Sequence, residues 1–282
     1  MNQVLRAPAK LNLGLYVGPR REGGLHELVS LHCPLTLADR ISVAEAEAGV
    51  DEVVCPEVEG PNLAAAALAA LRELGWERPP LRVEIEKRIP VAAGLGGGSA
   101  DAGAILRLAA GEVEGLEAVA EALGADIPSQ LEPGLALVRG AGEVVEPLPP
   151  PGEFAVVLVP AERGLATAAV FAEADLLGIG RDSAELAVAA GGLREAAGGG
   201  ASPIEFADLL HNDLTDAALS LRPEIGEALD ALDAVGAAPA LLTGSGPTAF
   251  GLFPDLVAAD RAAAALPPRF AAALVAGPER TG

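Results

Sequence analysis

Aromatic residues are scarce, 3% of 282 positions. Single-stranded nucleic acid is held on stacked aromatic platforms, and this chain has no such stripe to offer. Positive charge is scarce too. Nineteen Lys and Arg stand against 40 Asp and Glu, a net charge of −21 with a pI near 4.4. A surface that grips nucleic acid or an anionic membrane shows the opposite balance, so neither is an expected partner. An anionic small molecule stays open, because screening acts over about 8 Å at physiological salt and a local cluster can outweigh the net charge. Cysteine is limited to Cys33 and Cys55, too few for a disulfide framework and without metal-ligand spacing. Both read as free thiols in a reducing compartment. Residues 1–6 show no basic stretch followed by an apolar run, so no secretion signal is visible and a cytoplasmic location is expected. The uncharged window 234–254 holds Pro239, Pro247 and four glycines. It reads as turn and strand pieces, not as a spanning helix. What the chain has in quantity is Ala, Leu and Val. Apolar residues reach 51%, enough to build an aliphatic core and to argue against wholesale disorder.

Periodicity gives the coarse elements. Leu11, Leu13, Leu15 and Val17 alternate with Asn12, Gly14 and Tyr16, as in a strand with one buried face. Residues 18–24 read as a turn and Arg40 onward as a strand. Leu68, Leu71 and Leu74 share one helical stripe over 62–75, with Asn62 as N-cap and Gly75 as the stop. Residues 81–86 alternate as a strand, a glycine-rich loop follows, and a helix covers 99–109. A short helix ends at Gly124, and 135–138 is a strand. The Pro147–Gly152 cluster breaks the composition and divides the chain into 1–149 and 150–282. Beyond it the pattern gives a strand from Phe154 and helices near 184–196 and 205–211. A helix with Pro223 in its first turn follows, then strands at 241–242 and 248–253 and a helix over 256–266. Strands and helices mix without regular alternation, so the fold class is α+β rather than a doubly wound sheet. No internal repeat is found.

Three segments carry candidate chemistry. The sharpest is Pro90-Val91-Ala92-Ala93-Gly94-Leu95-Gly96-Gly97-Gly98-Ser99-Ala100. It lies between a strand and a helix, where bare glycines can turn their N–H groups inward and the helix start adds unpaired donors and a positive dipole end. That combination suits a polyphosphate. The Ser99 hydroxyl is placed for a phosphate or its Mg²⁺. No Gly-Lys-Ser/Thr ends the loop, so it is not a Walker A motif, and the dinucleotide fingerprint lacks its acidic residue about 20 positions on. The second segment is Ala7-Pro8-Ala9-Lys10-Leu11-Asn12-Leu13, whose lysine alone could be a solvated edge charge. The third is Thr243-Gly244-Ser245-Gly246-Pro247, which alone is a common hairpin turn.

Together, and in this order, the three segments resemble the conserved motifs of the GHMP kinase superfamily. Ala7–Lys10 within the second segment, and two further stretches, Arg21–Leu28 and Gly124-Ala125-Asp126-Ile127-Pro128, are similar to the branch acting on a cytidine-diphosphate-linked methylerythritol. The resemblance covers about residues 5–253. It implies a two-domain fold, an N-terminal nucleotide domain and a C-terminal substrate domain with the site between them. It implies ATP with Mg²⁺, a small-molecule alcohol acceptor, and a monomer or homodimer. Asp126 would be the base and Lys10 its cationic partner. The loop 90–100 would hold ATP, with Asn62 near the adenine and Lys87 countering charge. Asn12, Leu25, His26, Thr167, Phe171, Gly244, Ser245 and Gly246 would face the substrate, His26 and Phe171 at the cytosine. The chain departs from the family in three places. Leu25 stands where an aromatic usually precedes the histidine, Ser129 and Gln130 replace bulky aromatics, and Ala100 replaces a common second serine. A related GHMP kinase, homoserine- or mevalonate-kinase-like, and a non-catalytic nucleotide-binding protein are the alternatives.

Overall fold

The computed structural model describes residues 3–58 and 60–279. The amino-terminal half runs β1 (Gln3–Arg20), β2 (His26–Glu45), β3 (Glu52–Val54), α1 (Leu63–Glu73), β4 (Leu81–Glu86), α2 (Gly97–Leu106), α3 (Leu116–Leu123), β5 (Ala136–Gly140) and β6 (Val144–Pro147). The remainder runs β7 (Ala155–Val159), α4 (Thr167–Leu177), α5 (Ser183–Gly198), α6 (Thr215–Leu221), α7 (Glu224–Ala234), β8 (Ala240–Leu242), β9 (Ala249–Phe253), α8 (Leu256–Ala265) and β10 (Leu274–Ala276).

The long strands β1 and β2 form an antiparallel pair, from Gln3 opposite Val43 to Arg20 opposite His26. The other edge of β2 is shared. Its first half pairs with β5 and its second half with β4. β6 extends β5, and β3 adds to β4 in parallel. The strands of this six-stranded sheet lie within 3–147. A second, antiparallel sheet in the order β10-β7-β9-β8 is built from 155–276. The helices pack on these sheets, α2 on β1, α7 and α8 on the second sheet, and α5 on β1 and β2. One aliphatic core joins Leu11, Leu31, Leu68 and Ile105 to Leu158, Leu186 and Phe250, so both sheets contribute to it.

The mixed α+β class agrees with the sequence reading, with two corrections. β1 is buried on both faces from Ala7 to Gly18, not on one, because both α2 and α5 pack on it. Residues 203–209 form a 3₁₀ segment instead of an α-helix, since Pro203 opens it and Phe206 leaves helical geometry at φ −125°.

The position of β1 places the site. The Lys10 N–H donates to Leu95 O in the glycine loop at 3.0 Å, and the Asn12 N–H donates to Thr243 Oγ1 beside the Gly-Ser-Gly turn at 3.0 Å. Farther along, Leu15 exchanges backbone bonds with His211 and Asp213. The three motifs, scattered in sequence, are thus stitched to one strand.

Candidate active site

Lys10 and Asn12 sit between two register shifts of β1, one between Pro8 and Lys10 and one between Asn12 and Gly14. Such bulges turn a strand and re-aim its side chains. Between them the period of two holds, and both side chains emerge on one face. The Lys10 ammonium donates to Asn12 Oδ1 at 2.5 Å and lies 3.2 Å from Asp126 Oδ2. Asp126 reaches this point because α3 stops at Gly124 and the chain turns before Pro128. Lys10 is buried, whereas 36% of the Asp126 side chain faces the cleft. Burial pushes the Asp126 carboxyl up, but the ammonium of Lys10 outweighs it and holds the group below its ordinary range. His32 itself is driven down to about 3 by burial and by Lys10, against the pull of Asp126. It is therefore neutral at physiological pH, and Lys10 is the charge that acts on Asp126.

A relay fixes this pair from behind. Asn12 Nδ2 donates to Ser30 Oγ at 2.8 Å and lies 3.0 Å from His32 Nε2. His32 Nδ1 lies 3.2 Å from Ser129 Oγ, whose hydroxyl donates to Asp126 O at 2.9 Å. The donors run in one direction if His32 carries its proton on Nδ1.

The glycine loop closes over the lysine. Gly96 caps α2 with φ +67°, and a Cβ there would come within 2.7 Å of Lys10 Cγ. Gly94 has φ +76° and would strike Gly246 O at 2.5 Å. These two positions need glycine for conformation and for close approach. No side chain caps the start of α2 and its first turn holds no acidic residue. The N–H groups of Gly97, Gly98 and Ser99 therefore lack intrahelical acceptors, and these residues border a cavity of about 300 Å³ whose lining includes residues 90–99. Gly94, Gly96 and Ser99 also line the adjoining cavity of about 240 Å³, which contains Lys10, Asp126, Thr167 and Ser245. That space in turn shares Leu28, Ala125, Ala141, Thr167 and Phe171 with a third, of about 520 Å³, lined by Leu25, His26 and Asp175. The three form one cleft, with the Lys10–Asp126 pair between its ends.

At the far end the His26 ring stacks on Phe171, centroids 5.1 Å apart, and its Nε2 lies 2.8 Å from Asp175 Oδ1. Leu25 is 62% exposed at the rim, so it can flank a ligand without being packed in the core. Thr167 Oγ1 and Ser245 Oγ are 2.9 Å apart, joining the start of α4 to the Gly-Ser-Gly turn.

Several expected contacts take another form. Asn12 spends its side chain on Lys10, Ser30 and His32, so it orients the lysine. Asn62 lines the cavity beside the glycine loop but its Oδ1 caps α1 through Ala64 and Ala65. Lys87 borders the same cavity, yet its ammonium is held by Asp39 and Asp101, leaving little charge for a ligand. Ala100 is fully buried and its N–H donates to Gly96 O, so it belongs to the helix and not to the cradle. Gly246 lies behind Gly94 as support, its N–H bonded to Thr243 O. Gly244 and Ser245 do line the central cavity. His32 and Asp175 belong to none of the sequence motifs. The register placing His32 opposite Asn12, and the helical spacing of Phe171 and Asp175, are the signals that locate them. Lys10 and Lys87 are the only two lysines in the chain, the other 17 basic residues being arginine, and both border the cleft. Cys33 and Cys55 are free thiols. Among the described residues no helix is long and apolar enough to cross a membrane.

Comparison with known proteins places the chain in a family. The family model of the GHMP kinases N-terminal domain matches residues 62–131, and that of the GHMP kinases C-terminal region matches 194–272. The chain is 39% identical to a 4-diphosphocytidyl-2-C-methyl-D-erythritol kinase of Streptomyces coelicolor, over 94% of this chain and 92% of that one. It is 40% identical to one of Anaeromyxobacter dehalogenans, over 94% and 85%. A crystal structure of 4-(cytidine 5'-diphospho)-2C-methyl-D-erythritol kinase superposes with a TM-score of 0.80 at 36% identity, covering 99% of this chain and all of that one. A homoserine kinase from Cytophaga hutchinsonii shares the fold, with a TM-score of 0.69 at 20% identity, covering 99% and 94%.

Proposed function

Because the chain belongs to the GHMP kinases, in the branch of the 4-diphosphocytidyl-2-C-methyl-D-erythritol kinases, we infer that Lys10 and Asp126 carry its phosphoryl transfer. The chain is an ATP-dependent kinase that phosphorylates the 2-hydroxyl of 4-(cytidine 5'-diphospho)-2-C-methyl-D-erythritol, a step toward isoprenoid precursors. The observation that carries the residue assignment is the 3.2 Å Lys10–Asp126 contact at the mouth of the glycine cradle.

Phosphoryl transfer depends mostly on positioning and electrostatics. The free N–H groups at the start of α2 receive the triphosphate. Lys10 faces the point where the cradle meets the central cavity and stabilises charge on the transferring group. Asp126 orients the acceptor hydroxyl and takes its proton as the new O–P bond forms and the bond to ADP breaks. A carboxylate held below its ordinary pKa is a weak base for a free alcohol. It suffices here because the hydroxyl becomes acidic only as its oxygen bonds to phosphorus, late in a loose transition state.

Mg²⁺ keeps most of its waters and takes one or two protein ligands besides phosphate oxygens. The Ser99 hydroxyl, on the first turn of α2 and facing both cavities, fits that donor set. Among the described residues no group of three His, Cys, Asp or Glu side chains is placed to hold a metal without the nucleotide. Bound there, Mg²⁺ would offset phosphate charge. His26, Phe171 and Leu25 form the pocket for the cytosine, and Thr167, Gly244 and Ser245 border the methylerythritol.

Coupled ADP release measured with the cytidine-linked alcohol, homoserine and mevalonate tests this function. Turnover with the first alone is expected, and turnover with either of the others but not the first would contradict it.

A further inference from the structure

The contact between His26 and Asp175 has no part in the transfer chemistry. Asp175 Oδ1 lies 2.8 Å from His26 Nε2, and Arg20 Nη1 stands 3.9 Å from Asp175 Oδ2. An ionised carboxylate only accepts hydrogen bonds, so the shared proton belongs to Nε2 of the imidazole. The other ring nitrogen, Nδ1, is left as an acceptor. It has no hydrogen-bond partner among the described residues, and it is not a sealed atom. The ring lines the terminal cavity and is held flat against Phe171, so its orientation is fixed as well as its tautomer.

We propose that Asp175 makes this kinase select cytosine over uracil, by holding the His26 proton on Nε2 so that Nδ1 meets the base as an acceptor. The two pyrimidines differ at position 4, where cytosine carries an amino donor and uracil a carbonyl acceptor. An acceptor on the protein pairs with the first and opposes the second, and such a mismatch in a desolvated pocket discriminates more strongly than lost apolar contact. Asp175 is a positioning residue, since it acts through the imidazole. A histidine without this carboxylate would exchange tautomers and offer either a donor or an acceptor. Leu25 and Phe171 cover ring faces, which the two bases share, so the choice between bases falls to His26. The proposal rests on reading this end of the cleft as the base pocket.

The test compares kcat/KM for the cytidine-linked substrate and its uridine-linked analogue in wild type, Asp175→Leu, Asp175→Glu and His26→Ala. In Asp175→Leu the cytidine preference should fall on the order of tenfold, through KM with kcat largely kept, and Asp175→Glu should retain most of it. Nitrogen-15 spectra of the three histidines supply a readout independent of turnover. They should show His26 protonated on Nε2 in wild type and in mixed tautomers in Asp175→Leu. An unchanged preference in folded Asp175→Leu, beside a raised KM in His26→Ala, would overturn the proposal alone. An unchanged KM for the cytidine substrate in His26→Ala would overturn the base pocket and the proposal together.

Discussion

His32 and Asp101 are buried ionisable groups whose titrations act in opposite directions. Burial and the nearby Lys10 ammonium drive His32 from 6.5 to about 3. Between these values the unfolded chain binds a proton that the folded one refuses, so His32 lowers stability as pH falls. Burial drives Asp101 up from 3.8 to about 7 in spite of Lys87. Over that window the folded chain is the one holding the extra proton, so Asp101 raises stability as pH falls. Each contributes a slope of about 1.4 kcal/mol per pH unit where it acts, and from pH 6.5 to 4 the two largely offset. Denaturant unfolding should therefore give a shallow wild-type profile in that range. His32→Gln should gain stability as pH falls, and Asp101→Asn should lose it. Parallel profiles in all three proteins would contradict these assignments. Neither residue stands out in the sequence. His32 becomes significant only through the strand register that sets it against Asn12, and Asp101 only because α2 turns it toward Lys87. Lys10 and Asp126 were legible because their flanking motifs are.

The start of α2 is the element to which we assign nucleotide binding, and two of its glycines separate folding from function. Gly98 has no unusual φ, and a Cβ there would meet only Leu63 Cδ1 at 3.5 Å. Gly98→Ala should leave thermal stability unchanged or slightly raised, since alanine is the better helix former by up to about 1 kcal/mol. The added methyl sits in the cradle, so KM for ATP should rise about tenfold, roughly 1.4 kcal/mol of lost binding. An unaltered KM would place the phosphates elsewhere. Gly96→Ala should damage both properties, because it forces a left-handed alanine against Lys10. Most elements of this kind were legible from periodicity and glycine punctuation, β4 to the residue. Among those missed, two physical reasons recur. α4 spreads apolar residues around its circumference and has no side-chain N-cap, so no stripe announces it. β3 and β10 are three residues long, too short to show a period, and exist because a neighbouring strand offers an edge.

At the scale of the molecule the cleft orders the reaction. On the proposed reading, phosphates enter at the helix start, the base pocket lies at the opposite end, and the Lys10–Asp126 pair stands between the two cavities. This arrangement explains how a chain of net charge −21 accepts two polyanions. On that reading binding relies on main-chain N–H groups and one buried ammonium, not on surface charge; most arginines that form ion pairs do so with acidic side chains at the surface. The convergence of residues 10, 94–99, 126 and 245 on one strand could not be read from spacing, because long-range contacts leave no local period. The family motifs supplied it. The most direct measurement is kcat of Asp126→Asn alongside its affinity for ATP by calorimetry. The account predicts a fall of about 10²–10⁴ in kcat, the range for a lost general base, with ATP affinity within about threefold of wild type. A kcat within tenfold of wild type would contradict it.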